Sequence, residues 1–249
     1  MELTTLWFIL VAVLFTGFFF LEGFDYGVGM LLPFLGKNDA ERRVIINTIG
    51  PVWDGNEVWM ITAGGAMFAA FPHMYATLFS GFYMALFLML MALIARGVAF
   101  EFRSKDERPA WRATWDWAIF CGSAIPALLW GVAVTNLIQG VPLNAKMQYV
   151  GTFFDLLSPY TLVGGAAVLL VFLYHGALFL TLKTDGEMIA RARGAALKSG
   201  LLAAVVYLAC VGMTYANTDL FRSSIGAGGL ILAVLTFVTS YVLTLRSRF

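Results

Sequence analysis

Apolar residues fill the chain in long runs that do not alternate with polar residues. Runs of membrane length occur near residues 5–32, 51–71, 75–96, 115–138, 160–182, 199–217 and 225–246. An α-helix needs about 20 residues to cross the hydrocarbon core. A membrane β-strand would instead alternate over about ten residues, which a stretch such as FYMALFLMLMALIA does not do. The pattern therefore predicts an all-α integral membrane protein, a polytopic bundle of seven spans.

The composition supports a membrane protein and excludes several other classes. Of the 249 residues, 60% are hydrophobic and only 12% are charged, whereas about 25% are charged in soluble domains. That charge is too low for a soluble or a disordered chain. The formal net charge is +1, and no basic run is present to bind nucleic acid. The first apolar run is too long for a signal peptide, so we expect it to be a permanent helix.

The distribution of Lys and Arg between the loops predicts the orientation of the bundle. Segments 33–50, 96–114 and 183–198, together with the C-terminus, carry fourteen of these residues, whereas the opposite side carries only Lys146 and Arg222. Cytoplasmic loops are enriched in Lys and Arg. We therefore expect the N-terminus outside and the C-terminus inside.

Four carboxyl groups fall inside the predicted spans. Glu22 and Asp25 lie in the first span, Asp54 and Glu57 in the second, and a spacing of three residues puts each pair on one helix face. A charge at mid-membrane costs about 2.5–3.5 kcal/mol. At ~1.5 Å per residue, all four fall roughly 5–10 Å to the cytoplasmic side of their helix midpoints. Such acids occur in cavities, in pairs or on proton and ion paths.

The surroundings of these acids leave two interpretations open. No Lys or Arg lies within the first two spans to neutralise them. Because the acids are clustered in a low dielectric, we expect some of them to be protonated at rest. A cluster that shares protons near the cytoplasmic face would suit proton uptake. The alternative is that the acids snorkel, or hydrogen-bond a neighbouring helix for structural reasons. Asp116 lies among interfacial tryptophans, where we expect a solvated or structural role.

Histidine and cysteine provide little for a metal site. His73 and His175 lie at opposite levels of the predicted bundle and cannot jointly bind one haem. His175 with a methionine remains a possible axial pair, although a lone membrane histidine is more often a hydrogen-bonded packing residue. We interpret Cys121 and Cys210 as small buried hydrophobic residues. The sequence therefore predicts no metal site, with His175 as the one remote candidate.

Several motifs, in order, resemble subunit II of the cytochrome bd quinol oxidases. They are FFFLEGFDYGVGM (18–30), ERRVIINTIGPVWDGNEVWMITAGGAMFAAFP (41–72), FSGFYMALFLMLMALIARGVAFEFRSK (79–105), WRATWDWAIFCGS (111–123), NLIQGVPLN (136–144) and LKTDGE (182–187). The resemblance covers about the first 190 residues. It implies a subunit of a bacterial respiratory-chain terminal oxidase in the cytoplasmic (inner) membrane. Such an oxidoreductase complex oxidises quinol and reduces dioxygen to water while generating proton-motive force.

The resemblance also implies which parts this chain would supply. In the family, two b-type haems, one d-type haem and the quinol site belong to subunit I, and subunit II is its haem-free heterodimer partner, with no independent activity and no catalytic residue. Asp25, Trp53 and Asp54 match positions tied to a proton path. Glu57 stands where relatives often carry Gln, and Glu22 fits the LEG motif without an assigned task.

The length implies a difference from the family. Members usually have eight helices in two four-helix halves, and seven spans are counted here. The sequence therefore predicts a first four-helix bundle over 1–138, with the intramembrane acids, and a second, incomplete bundle over 139–249. Two other functions remain open, a stand-alone proton-coupled transporter and a purely structural scaffold for the haem subunit. Small single-span accessory subunits and membrane lipid are further candidate partners.

Overall fold

The chain folds almost entirely into α-helices. A computed structural model describes residues 2–247, within which an isolated bridge between Leu143 and Tyr149 is the only β-type pairing. Its nine α-helices are α1 (Leu3–Leu35), α2 (Asp39–Ile49), α3 (Trp53–Ala70), α4 (Pro72–Gly81), α5 (Tyr83–Phe102), α6 (Pro109–Gln139), α7 (Pro159–Lys183), α8 (Glu187–Asn217) and α9 (Ser224–Arg246). The predicted all-α class is confirmed.

Local sequence signals explain where several of these helices begin. Proline is the first residue of α4, α6 and α7, a position where its fixed φ and missing N–H carry no penalty. The side chains of Asn38 and Ser223 accept backbone N–H groups at the starts of α2 and α9. Each cap provides a partner for an N–H that has none within its helix.

Six helices, not seven, are long and apolar enough to cross a membrane among the described residues. They are α1, α5 with its 3₁₀ extension to Lys105, α6, α7, α8 and α9. The predicted second span corresponds to α3, whose 18 residues begin with the polar run Asp54, Asn56 and Glu57. These polar side chains lower its hydropathy, so the count of seven is not supported. The predicted third span also begins later, because α4 ends at Gly81 and α5 starts at Tyr83.

Helix α1 packs against α3, α6 and α7, and all of its buried residues lie from Phe18 onward. Its closest crossing is with α7, where Gly27 meets Gly176 backbone to backbone with no room for a Cβ on either residue. Small residues allow this approach between membrane helices. The crossing joins the ranges 1–138 and 139–249, and their division into two four-helix units remains a prediction.

An ion-pair network joins the helix ends on the side that we expect to be cytoplasmic. Asp116, at the start of α6 and 1% exposed, accepts from Arg42 at 2.7 Å and from Arg103 at 2.5 Å. Arg103 also pairs with Asp39 of α2 at 2.9 Å. Of the two roles expected for Asp116, the structural one is correct, because the carboxylate is buried between arginines rather than solvated.

A second ion pair anchors α2 to the beginning of α8. Arg191 donates to Glu41 and to the carbonyl oxygen of Leu35, at the end of α1. The hydrogen bond from Arg191, followed by that from the backbone N–H of Lys37, lowers the pKa of Glu41 from its usual 4.5 to about 2. Glu41 therefore stays ionised and holds α2 against the bundle at physiological pH.

Candidate functional site: a buried carboxylate–arginine cluster

Two of the predicted carboxyl groups lie fully buried on one face of α1. Glu22 and Asp25 are each 0% exposed. Their spacing of three residues places them side by side on the helix. The prediction that this pair shares one face is confirmed. The partners of the two side chains come from two other helices.

Arg96 of α5 is the cation that the sequence interpretation missed. Its Nη1 donates to Oε1 of Glu22, and the arginine side chain is only 1% exposed. The expectation that no positive charge neutralises these acids is therefore wrong. The predicted third span ends at residue 96, which puts Arg96 at the edge of the span and in the loop segment 96–114. Because α5 starts at Tyr83 and continues to Phe102, the arginine lies inside the helix, facing α1.

Three aromatic rings surround the Arg96 guanidinium. Its Cζ lies 4.8 Å from the ring centroid of Tyr26, 5.7 Å from that of Phe100 and 6.0 Å from that of Trp53. Trp53 also packs on Phe100 with a centroid distance of 4.9 Å. A cation over an aromatic face is stabilised, more so when it is desolvated. Trp53, a predicted site residue, thus contributes an aromatic wall to the cluster.

Asp25 is held by Asn56 of α3. The Nδ2 of Asn56 donates to Oδ2 of Asp25 at 2.7 Å, and Asn56 is 8% exposed. The sequence interpretation missed this residue, although it stands in the same WDGN motif as two residues that were named. A polar side chain one position before Glu57 in an apolar bundle was a usable signal for it.

The two acids of α3 occupy different positions. Glu57 is half-buried and lies within electrostatic range of Glu22 and Asp25. Asp54 is exposed in the first turn of α3, where its charge acts on Glu57. The structure thus brings three of the four acids into one cluster and leaves Asp54 on its outer side.

Several polar atoms of the cluster have no protein partner. Among residues 2–247, none hydrogen-bonds Oε2 of Glu22, Oδ1 of Asp25, the hydroxyl of Tyr26, or Nε and Nη2 of Arg96. Each carboxyl group on α1 therefore has one oxygen fixed by a side chain and one oxygen free. Buried polar groups normally have a partner. The cluster can consequently bind water and exchange protons.

The histidines and cysteines lie outside this cluster. His175 is half-buried on α7, with ring centroids 5.6 Å from Phe20 and 5.7 Å from Phe24. The described part of the chain contains no group of three or more His, Cys, Asp or Glu that could hold a metal ion. Cys121 is exposed and Cys210 is half-buried, which corrects the expectation that both are buried. Since a haem needs only an axial pair, the absence of haem remains a prediction.

The fold and the cluster define a class, a multi-pass helical membrane protein with a charged site inside the bundle. The family model described as Cytochrome bd terminal oxidase subunit II matches residues 3–248. The chain therefore belongs to the cytochrome bd terminal oxidase subunit II family, as the motifs indicated. Together with the six apolar helices, membership identifies a multi-pass protein of the bacterial inner membrane.

Individual relatives agree with the family assignment. Cytochrome bd ubiquinol oxidase subunit 2 of Bacillus subtilis (strain 168) is 47% identical over 249 residues, which cover 99% of this chain and 74% of that protein. Cytochrome bd-I ubiquinol oxidase subunit 2 of Escherichia coli (strain K12) is 50% identical over 209 residues, 82% of this chain and 54% of that protein. The probable cytochrome oxidase subunit 2 of Haemophilus influenzae is 50% identical over 76% of this chain and 51% of its own length. The chain thus spans about half the length of the last two relatives.

Proposed function

We propose that this chain is the haem-free subunit II of a bd-type quinol oxidase that reduces dioxygen to water. Its heterodimer partner, subunit I, carries two b-type haems and one d-type haem and oxidises the quinol. The chain has no independent activity and supports subunit I within the membrane. Family membership and the similarity to subunit 2 of bd-type oxidases support this assignment. Small single-span accessory subunits and lipid complete the set of proposed partners.

We further propose that Glu22, Asp25, Trp53, Asp54 and Glu57 together form a path for proton uptake from the cytoplasm. The observation that carries this proposal is the pair of fully buried carboxyl groups on α1, each with a free oxygen. The asymmetry of Lys and Arg supports a position of these residues nearer the cytoplasmic face, with the N-terminus outside. Exposed Asp54 is then the proton entry, and Glu57 connects it to the buried pair.

Purification in mild detergent tests the assembly. A larger haem-bearing subunit should co-purify with this chain, and the reduced preparation should show haem absorbance in the visible. Quinol oxidation should depend on both subunits together. A colourless chain that purifies alone and drives solute uptake in vesicles would contradict the oxidase assignment and favour the transporter.

Two substitutions test the proton role. Asp25→Asn keeps the size and a hydrogen-bonding group for Asn56, but it removes the titrating carboxyl group. A lost proton-relay group typically costs a factor of about 10²–10⁴, so we expect oxidase turnover to fall by about 10² or more with haem content unchanged. Asp54→Asn should give a smaller loss of turnover, because Asp54 is exposed and solvent water can replace its carboxyl group as a proton donor.

Asp219→Asn is the matched control. Asp219 is an exposed aspartate, paired only with exposed Arg222, and its substitution should leave turnover unchanged. Proton uptake is followed with a pH indicator during oxygen pulses to the assembled oxidase. Wild-type turnover and uptake in both Asp25→Asn and Asp54→Asn would leave only the scaffold function.

A further inference from the structure

The interior of the carboxylate–arginine cluster has the composition of a water-binding site. Tyr26 is 0% exposed and Arg96 is 1% exposed, yet the hydroxyl of the first and two nitrogens of the second lack a protein partner among residues 2–247. The two free carboxyl oxygens of Glu22 and Asp25 lie in the same cluster. Donors and acceptors are therefore both present and both unsatisfied.

The Arg96 guanidinium is held by the carboxyl group of Glu22 and by the ring of Tyr26. Nη1 of Arg96 is engaged by Glu22, which leaves Nε and Nη2 on the same planar guanidinium. The Cζ of Arg96 lies 4.8 Å from the centroid of the Tyr26 ring. The indole of Trp130 lies near the Tyr26 hydroxyl but makes no well-formed hydrogen bond to it. A buried water normally makes two to four hydrogen bonds to otherwise unsatisfied groups. An arginine fork, a phenol and two carboxyl oxygens provide that many partners.

We propose that Glu22, Asp25, Tyr26 and Arg96 enclose ordered water that connects the free oxygens of the two carboxyl groups, with Arg96 as the positioning residue. Arg96 fixes one oxygen of Glu22 and directs its remaining N–H groups at the water. This assignment rests on the proposed proton-uptake function and specifies how the two carboxyl groups would communicate.

The proton transfer through this water is balanced. A protonated Asp25 gives its proton to the water as the water gives a different proton to ionised Glu22. The O–H bond of Asp25 breaks, an O–H bond forms on Glu22, and the water returns to its original composition. The negative charge thereby moves from Glu22 to Asp25, and no oxidant or reductant is needed.

A map of the assembled oxidase at a resolution that shows waters provides the direct test. We expect density within hydrogen-bonding distance of the free oxygens of Glu22 and Asp25 and of the Arg96 fork. The absence of such density, or side chains of the partner subunit that bond these atoms directly, would overturn the proposal. Neither result would change the expected assembly with a haem subunit or the expected effect of Asp25→Asn. The water proposal can therefore fail while the proposed function stands.

Tyr26→Phe tests the water without changing any charge. The variant loses one hydrogen bond to the water. A hydrogen bond of ordinary strength corresponds to a factor of about five in rate, so turnover should be about fivefold slower. The KM for quinol should be unchanged, and the infrared bands that shift in water labelled with heavy oxygen should weaken. Tyr174→Phe is the control, because that buried hydroxyl already bonds Ser240 at 2.9 Å. Equal turnover and equal water bands in the two variants would refute a water site at Tyr26.

Arg96→Lys separates positioning from charge. Lysine keeps the positive charge but lacks the planar fork of donors. If Arg96 orders the water, this variant should assemble with full haem content yet turn over about tenfold more slowly, with altered water bands. Full rescue by lysine would show that only the charge matters and would overturn the positioning role. If the lysine variant fails to assemble, Tyr26→Phe and the map still decide the proposal.

Discussion

Removing the positive charge of Arg96 should destabilise the bundle more than removing any exposed arginine. Arg96→Met keeps much of the side-chain volume but leaves Glu22, which is 0% exposed, without its ion-pair partner. Breaking a buried pair from one side costs about 3–5 kcal/mol. We expect about 3 kcal/mol, the lower end, because Glu22 can bind a proton once the arginine is gone.

A double-mutant cycle isolates the interaction between the two residues. Glu22→Gln alone leaves Arg96 buried and unpaired, and it should also destabilise. The combination of Arg96→Met and Glu22→Gln removes both charges, so its cost should fall below the sum of the single costs by about 2 kcal/mol, within the usual range for residues in contact. The assay is reversible unfolding of the solubilised protein in mixed micelles, followed by helical circular dichroism.

Arg222→Met is the matched control for this cycle. Its ion pair with Asp219 has side chains that are 82% and 75% exposed, and exposed pairs contribute about 0–1 kcal/mol. If Arg96→Met cost no more than Arg222→Met, or if the two single costs simply added, Arg96 and Glu22 would not form a buried pair.

Three further predictions concern the helix packing and the ion-pair network at the helix ends. Gly27→Val puts side-chain atoms against the backbone of α7 and should cost about 3 kcal/mol or more, whereas Gly64→Val, with open space around it, should be near neutral by thermal unfolding. Asp116→Ala leaves two arginines without their shared carboxylate and should cost about 3–5 kcal/mol in the micelle assay; a loss below about 1 kcal/mol would contradict a buried network. Because the pKa of Glu41 is lowered to about 2, its stabilisation is complete above its usual 4.5 and is lost as the pH falls towards about 2. The difference in melting temperature between wild type and Glu41→Gln should therefore shrink as the pH is lowered from about 6 to about 3, and a constant difference would refute an ionic contribution.

The sequence pattern was sufficient for the elements that depend on local information. Long apolar runs predicted helices, and the spacing of Glu22 and Asp25 predicted a shared face, because both follow from the periodicity of a single helix. The prolines that start α6 and α7 are also local signals. The family resemblance was carried by residues in contiguous motifs, and the family match over 3–248 extended it beyond residue 190.

The partners of the site depend on which helix faces meet, and a hydropathy pattern does not contain that information. Arg96 was counted with a loop because the apolar run containing it was taken to end there. The break between α4 and α5 shifts the helix, so that Arg96 lies six residues before its end at Phe102. Asn56 was missed for a similar reason, since only the approach of α3 to α1 shows what its amide binds.

The buried carboxyl groups of this chain differ in how many of their oxygens accept hydrogen bonds. Both oxygens of Asp116 accept from arginines, an arrangement that uses the whole carboxylate to tie α6 to its neighbours. Glu22 and Asp25 each accept through one oxygen only, although they are at least as deeply buried. A role confined to helix packing would favour the first arrangement, because an unsatisfied buried oxygen costs about 1–3 kcal/mol. The free oxygens on α1 are therefore difficult to explain by stability and are what a group that binds water and moves protons requires.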